Sequence, residues 1–386
     1  MSAFDNRGLP PLPMFQPAPA DDDAPCCGPR PGPPSSPDER PGYRLCPFVR
    51  RFIPTPAGPV PEVATRLGVS DWLGWLRVRL GIGRDRYRVA PGLYAVGSPV
   101  PESPVLVTAN YKLSFDLLRR ELGGLDAWLV VLDTRGVNVW CAAGKKTFAT
   151  AEVVRRVGLV RLAEVVSHRE LILPQLGAPG VAGQTLKAAC GFSAVWGPVR
   201  ARDLKGFLAA GRQATPEMRQ VSFTLAERAV LIPVELSLIL RPSLWVLVAV
   251  ALVSALGPHF SWPLFVRRAL DLTLAYGAGM VSGSVAVPLL LPWLPGRSFY
   301  LKGLLAGAVA GLGVALVRRA GVGDGLAMTL LALAVGSYCA MNFTGATPFT
   351  SPTGVEKEMR RGIPVQVLAL LLAVGLWIGQ AFWRIK

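Results

Sequence analysis

The sequence predicts an α/β domain with a largely parallel sheet, followed by an all-α transmembrane domain of five helices. Three observations carry that expectation. The 386 residues are 51% hydrophobic and only 17% charged, whereas an ordinary soluble domain carries roughly 25% charged residues. The apolar excess is gathered in the last third, as long runs with charges at their ends. Ahead of them, short β-branched or aromatic runs alternate with amphipathic stretches, which is the pattern of βαβ units.

Residues 1–42 hold 12 of the 35 prolines and the acidic run Asp21-Asp22-Asp23. Proline fixes φ and removes a backbone donor, and the segment has too few apolar groups to offset its ordering entropy. A disordered Pro-rich tail is expected there. It has no basic region followed by an apolar stretch, so it does not read as a secretory signal. Residues 43–239 are therefore expected in the cytoplasm, with a core at about 85–225. Four strands are expected in it: Val105-Leu106-Val107-Thr108, Trp128 to Asp133, Glu170-Leu171-Ile172-Leu173, and Phe192 to Trp196. Leu113 to Leu122 and Thr150 to Val166 have helical amphipathicity. In such sheets ligands dock beyond the carboxyl ends of the strands.

Residues 240–386 form the expected membrane domain, with helices at about 240–256, 269–291, 299–317, 326–343 and 363–383. Each is near the ~20 residues that cross a ~30 Å hydrocarbon core. Gly277, Gly279, Gly283, Gly307, Gly311 and Gly313 suit close helix packing. Trp293, Tyr300, Trp377 and Trp383 lie near run ends, as interfacial aromatics do. Asp271 and Lys302 also read as near helix ends, placed to snorkel. These features predict a multi-pass protein of the cytoplasmic membrane, with lipid as a partner and the soluble domain facing the cytoplasm. The flanking charges alone do not orient it, because arginines fall on both sides.

The net charge is +16, from 41 basic and 25 acidic residues. The basic residues form no stripe interleaved with aromatics, so no nucleic-acid partner is expected. There are six cysteines and two histidines, and no CxxC, GxxxxGK[ST] or GxSxG. Zinc ribbons, iron–sulfur ligation, nucleotide hydrolysis and serine-hydrolase chemistry therefore have no motif to rest on. The vicinal pair Cys26-Cys27 has the softness to hold a two-coordinate metal ion.

The segment that points to chemistry is Asp133-Thr134-Arg135-Gly136-Val137-Asn138-Val139-Trp140-Cys141-Ala142-Ala143-Gly144-Lys145-Lys146. It follows the best strand of the domain. Arg135-Gly136 can make a turn, and Asn138 is a strong N-cap residue. If Asn138 caps a helix, Cys141 is its third residue, where the helix dipole favours a negative charge; Lys145 follows one turn on. Both effects favour thiolate. A soft anionic ligand is thus expected at the sheet's carboxyl edge, beside small residues that let a flat ligand approach the backbone. A lone cysteine beside Trp and Ala also suits an inert core position.

Asn138-Val139-Trp140-Cys141-Ala142-Ala143-Gly144-Lys145 resembles the cap-helix signature of the corrinoid protein of the mercury-methylation pair. The resemblance covers about 85–386 and takes in Ser103 to Lys112, Leu173 to Gly180, Gly197 to Ala201 and the segment from Asn342 to Arg360. More distantly, the soluble part is similar to the corrinoid iron–sulfur protein of acetyl-CoA metabolism, which lacks the cap-helix cysteine. The Pro-rich tail departs from the family pattern.

The resemblance implies a Rossmann-like corrinoid-binding domain holding a cobalamin-type cofactor in its methylcobalamin form. It makes Cys141 the lower axial ligand of cobalt, with Asn138, Val139, Trp140, Ala142, Ala143, Gly144 and Lys145 shaping the corrin face. Thr108, Asn110, Gln175 and Gly177 are expected as further corrin contacts. The implied activity is a corrinoid-dependent methyltransferase that passes the methyl group to Hg(II), as a carbanion equivalent or a radical, giving methylmercury. Its implied partners are a small ferredoxin-like protein with two 4Fe–4S clusters, which reduces the cobalt, and a methyl-tetrahydrofolate source that remethylates it. This chain is expected to hold no iron–sulfur cluster itself. Two other readings stay open: a membrane metal transporter or mercury-binding protein, and a general corrinoid methyl carrier of one-carbon metabolism.

Overall fold

The computed structural model describes residues 32–35, 47–348, 350 and 352–383, and they form two compact units. The first unit holds the described residues up to Arg66 together with Arg88–Gln213; the second holds Leu67–Tyr87 and the residues from Ala214 onward. The expected Pro-rich tail, with Cys26 and Cys27, lies almost wholly outside the described residues.

The first unit is built on a seven-stranded sheet. Its strands are β1 (Val49–Ile53), β2 (Val60–Val63), β3 (Gly92–Val96), β4 (Val105–Ala109), β5 (Ala127–Leu132), β6 (Glu170–Leu173) and β7 (Ser193–Trp196), in the order β1-β2-β3-β5-β4-β6-β7. The four strands expected from sequence are β4 to β7, and they form a parallel half. The other half was not expected. There β3 runs antiparallel to β5, and β1 antiparallel to β2. The sheet is therefore mixed, with β2 and β3 forming one more parallel pair between the two antiparallel ones.

The first helix, α1 (Val69–Arg79), belongs to the second unit. In the first unit, α2 (Lys112–Glu121) joins β4 to β5. Between β5 and β6 come α3 (Val139–Gly144), α4 (Thr150–Leu159) and α5 (Leu162–Val165). Next, α6 (Gly183–Cys190) joins β6 to β7, and α7 (Leu204–Ala209) follows. Successive side chains of a strand point to opposite faces. Val105, Val107, Trp128, Val130, Leu171 and Leu173 accordingly share one buried cluster with Val153 and Val157 of α4 and Leu186 of α6. On α2, Phe115 meets Tyr94 of β3 and Phe48, with ring centroids 5.2 and 5.5 Å apart. Asp116 and Arg119 of α2 are both fully buried and paired at 2.8 Å, and Arg119 also donates to the Ala64 carbonyl.

The second unit continues with α8 (Leu225–Ala229), α9 (Ile232–Ala255) and α10 (Trp262–Val281), which passes through a π-helical turn at Ser282–Ala286 into α11 (Val287–Leu290). It ends with α12 (Phe299–Val317), α13 (Val322–Phe343) and α14 (Pro352–Trp383). Among the described residues, five stretches are long and apolar enough to cross a membrane: Leu225–Ala255, Trp262–Leu290, Phe299–Val317, Val322–Ala346 and Thr353–Trp383. They coincide with the five apolar runs read from sequence to within a residue at the carboxyl ends of the first two, and the first and last extend well ahead of those runs.

Helix α13 is gripped by glycine faces. A Cβ on Gly279 of α10 would meet the Ala332 carbonyl oxygen at 2.6 Å, and one on Gly307 of α12 would meet the same atom at 2.4 Å. Gly283, Gly303 and Gly311 are equally close to α13. Gly277 and Gly313, expected to share this role, have open space where a side chain would stand. Asp271 and Lys302 do not snorkel. Asp271 is buried and accepts a hydrogen bond from Arg318 Nε at 2.5 Å. Lys302 is buried and donates to the Leu291 and Leu294 carbonyls at 2.7 and 2.8 Å, and so satisfies acceptors left over where the preceding helix ends.

Candidate functional site

The chain leaves β4 for β5 on one side, then crosses back to β6 on the other. This reversal is the kind of switch point at which open α/β sheets bind ligands, beyond the carboxyl ends of the strands. Three loops open there, after β4, β5 and β6.

The loop after β5 is fixed from below by Asn110, the residue after β4. Asn110 is fully buried. Its Oδ1 accepts from the backbone of Thr134 at 3.1 Å and of Gly136 at 2.9 Å, and its Nδ2 donates to Asp133 Oδ1 at 3.0 Å. Thr134 Oγ1 donates to the Val137 carbonyl at 2.6 Å. Arg135 and Gly136 both take left-handed backbone angles, φ 55° and 77°, so the expected turn forms where sequence placed it. From outside, the Ser35 amide donates to Asp133 Oδ2 at 2.7 Å, and the Gly32 amide to the Arg135 carbonyl at 3.0 Å.

The turn delivers the chain into α3, whose N-cap is Asn138 in extended geometry. Asn138 Oδ1 accepts from the Cys141 amide at 2.9 Å, and its Nδ2 lies 3.5 Å from Cys141 Sγ. One side chain thus closes the helix start and offers a donor to the sulfur. Cys141 is the third helical residue, as expected. The helix ends after six residues. Lys146 turns left-handed at φ 59°, and the amides of Thr147 and Phe148 both reach back to the Ala142 carbonyl, at 2.9 and 3.0 Å. Ala142 and Ala143 are buried under the helix, Cys141 and Lys145 are half-buried, and Gly144 and Trp140 are exposed. Trp140, Gly144 and Lys145 therefore turn outward, while Cys141, half-buried between the two sides, and Val139 pack partly against the core.

The loop after β6 supports α3 from the side. It forms a 3₁₀ turn over Gln175–Gly180. A Cβ on Gly177 would stand 2.6 Å from Phe148 Cε1, and one on Gly180 would stand 2.0 Å from the Phe148 carbonyl oxygen and 3.2 Å from Ala143 Cα. Phe148 itself is fully buried. Only glycine permits this approach.

Of the residues expected to meet a ligand, Cys141 and its neighbours on α3 come together with the Gln175–Gly180 turn, where Gln175 is half-buried. Thr108, expected as a corrin contact, lies within β4 and is 4% exposed. Asn110 has its amide spent on the loop, so its place is beneath the site. Sequence reasoning missed Phe148 and Gly180. The signal available was the glycine and proline spacing in Gln175-Leu176-Gly177-Ala178-Pro179-Gly180, which marks a tight backbone approach. Cys190 stands apart at the end of α6, where burial pushes its thiol above the ordinary value and a hydrogen bond from the Phe192 backbone partly offsets this. Among the described residues no three His, Cys, Asp or Glu side chains gather as a metal cage.

Residues 78–208 match the family described as CO dehydrogenase/acetyl-CoA synthase delta subunit. That stretch contains β3 to β7 and the whole α3 site. The gamma subunit of the acetyl-CoA decarbonylase/synthase complex of Archaeoglobus fulgidus is 32% identical over 127 residues, covering 32% of this chain and 27% of that one. The gamma subunit from Methanopyrus kandleri is 31% identical over 127 residues, with the same coverage of each chain. The one from Methanocaldococcus jannaschii is 39% identical over 100 residues, covering 25% of this chain and 20% of that one. The matched stretch spans about a quarter of these relatives' length. The distant similarity to proteins of acetyl-CoA metabolism is thereby shown for the α/β unit.

Proposed function

We propose that this chain is a membrane-anchored corrinoid-dependent methyltransferase in which Cys141 would hold the cobalt of the corrinoid and Hg(II) is the methyl acceptor. The observation that carries the reading is the pairing of Asn138 with Cys141 at the carboxyl edge of β5. A metal brought in by a macrocycle needs a single protein ligand, and the site offers a single soft one. The residues fit such a group in two respects. The donor is a sulfur at a helix start, and beside it on the outward face Gly144 has no side chain to stand in the way.

When bound, a methylcobalamin-type corrinoid supplies a cobalt-held methyl group that an electrophile such as Hg(II) can accept. The chain's own residues have distinct tasks. Cys141 Sγ supplies electron density, since axial-ligand identity is a main lever on such cofactors. The Asn138 amide places a hydrogen-bond donor beside the sulfur, at 3.5 Å. The same amide bond moderates its donor strength, as second-shell hydrogen bonds do at metal sites. Trp140 gives an exposed apolar plate on the cofactor side of α3. Asn110, Thr134 and Gly177 are positioning residues that hold α3 in place. The family resemblance adds a ferredoxin-like partner with two 4Fe–4S clusters as reductant and a methyl-tetrahydrofolate source of the methyl group.

A second reading is favoured by the relatives: a corrinoid methyl carrier of one-carbon metabolism, with a thioester-forming system as acceptor. Full-length protein loaded with methylated corrinoid should be offered Hg(II), a small thiol and an acetyl-CoA-forming acceptor in turn. Transfer to Hg(II) that is faster than to the others supports the first reading. Transfer confined to the other two establishes the carrier. Metal uptake by vesicles with no corrinoid in the purified protein overturns both in favour of a transporter.

A further inference from the structure

We propose that α1 is an interfacial helix, lying in the headgroup layer of an anionic lipid surface beside the first membrane span. The proposal rests on reading the five apolar helices as membrane spans. Residues Val69, Trp72, Leu73, Leu76 and Leu80 are each at least 45% exposed. Their spacing is i, i+3, i+4, i+7 and i+11. At roughly 100° per residue this is one continuous apolar stripe. Asp71, Trp75 and Val78 occupy the opposite face and are buried. A helix of a soluble protein turns its apolar stripe inward; this one has an inward apolar face and a second one turned outward.

The charges flank that outward stripe. Arg77 and Arg79 fall about 80° to either side of its centre on the same helical projection. Arg84 and Arg86 follow just after the exposed Ile82. Apolar side chains pointing down, with arginines at the margins, suit a surface that is apolar below and anionic at headgroup level. A protein partner would need a matching groove with acidic rims, whereas an anionic lipid layer supplies both features at once.

The depth of α1 is set by α9. A Cβ on Gly81 would meet Ser237 Oγ at 2.3 Å, and Arg79 Nη1 donates to the Val230 carbonyl at 3.3 Å. Ser237 precedes Ala255, the last residue of α9, by 18 residues, which at 1.5 Å per residue is about 27 Å. That matches the hydrocarbon thickness of about 30 Å. Packing against α9 therefore holds α1 at the membrane surface, across the bilayer from the α9–α10 loop.

The test uses the full-length protein in nanodiscs carrying a lipid with a photoactivatable diazirine on its acyl chain. Cross-linked peptides are located by mass spectrometry. Label on the α9 peptide reports the membrane reading itself, and label on the Val69–Ile82 peptide reports this proposal. Both peptides should be labelled. Leu73→Glu with Leu76→Glu, on an exposed face, should cut the α1 label about tenfold and leave the α9 label unchanged. Arg77→Gln with Arg79→Gln should abolish any gain in α1 label when phosphatidylglycerol replaces phosphatidylcholine. Labelled α9 with unlabelled α1 overturns the proposal while leaving the membrane spans standing. Label on neither helix overturns the membrane reading first.

Discussion

Asn138 caps the helix that carries Cys141 and, with the other atom of the same amide, approaches its sulfur: Oδ1 accepts from the Cys141 amide at 2.9 Å while Nδ2 stands 3.5 Å from Sγ. Local folding and the electronic character of the proposed ligand are thus linked through one side chain. They can be separated by substitution. Asn138→Ser keeps a good cap and removes the amide donor; Asn138→Ala removes both. The alanine variant should lose about 1 kcal/mol of stability and the serine variant only a few tenths. Both should shift the absorption spectrum of the bound corrinoid, because both strip the donor from the sulfur. A spectrum unchanged in both variants would show that the amide does not act on the ligand.

The glycines of the β6 loop should be intolerant in a defined order. At Gly177 an added methyl meets the edge of the Phe148 ring at 2.6 Å, and at Gly180 it meets the Phe148 backbone carbonyl at 2.0 Å. A ring can tilt and a carbonyl in a closed turn cannot. Gly177→Ala should therefore cost about 1–3 kcal/mol by overpacking, and Gly180→Ala more. Thermal melts of the two variants give the order, and corrinoid content should fall in the same sequence. Equal, small losses at both sites would mean that the turn does not brace α3.

Asn110 should behave as a structural residue. Asn110→Ala leaves the buried amides of Thr134 and Gly136 without their acceptor, at a cost of about 1–3 kcal/mol for each unsatisfied group. Asn110→Asp retains an acceptor for both amides but places a carboxylate against Asp133. Alanine and aspartate variants should both melt earlier than the wild type. A variant that folds with wild-type stability but binds corrinoid weakly would instead make Asn110 a direct ligand contact.

Cys190 supplies a pH test. Its thiol is pushed above the ordinary value of 9.0 by burial at the end of α6, against a smaller opposing hydrogen bond from the Phe192 backbone. The thiolate is the reactive form. A raised value means that the neutral thiol persists through neutral and mildly alkaline pH. Alkylation of Cys190, followed by peptide mass spectrometry, should be slow at pH 7–8 and accelerate only above pH 9. Rapid labelling at pH 7 would place the thiol in a different environment.

The parts legible in the sequence were those decided by local pattern. The strands β4 to β7 are unbroken apolar runs, and the Asn138 cap is a short-range signal. The five apolar runs declare themselves by length. What stayed hidden depends on partners distant in sequence. Strand β1 reads Val49-Arg50-Arg51-Phe52-Ile53, and the Arg51 charge is answered by Glu62 of β2 at 2.5 Å. Strand β2 contains a proline and that buried acid, so its propensity argues against a strand that its neighbours nonetheless impose. Asp271 and Lys302 looked terminal because their partners, Arg318 and the Leu291 and Leu294 carbonyls, are set by helix packing. Asn110 read as a corrin contact after a strand, and only the fold shows that loop atoms from Asp133 to Gly136 consume its amide.

The proposed role of Cys141 is tested most directly by X-ray absorption at the cobalt edge of the corrinoid-loaded, full-length protein, beside Cys141→Ala. A sulfur neighbour in the first coordination shell of the wild type, absent from the alanine variant, is the expected result. A wild-type shell of nitrogen and oxygen alone, or a sulfur neighbour that survives in Cys141→Ala, would contradict it.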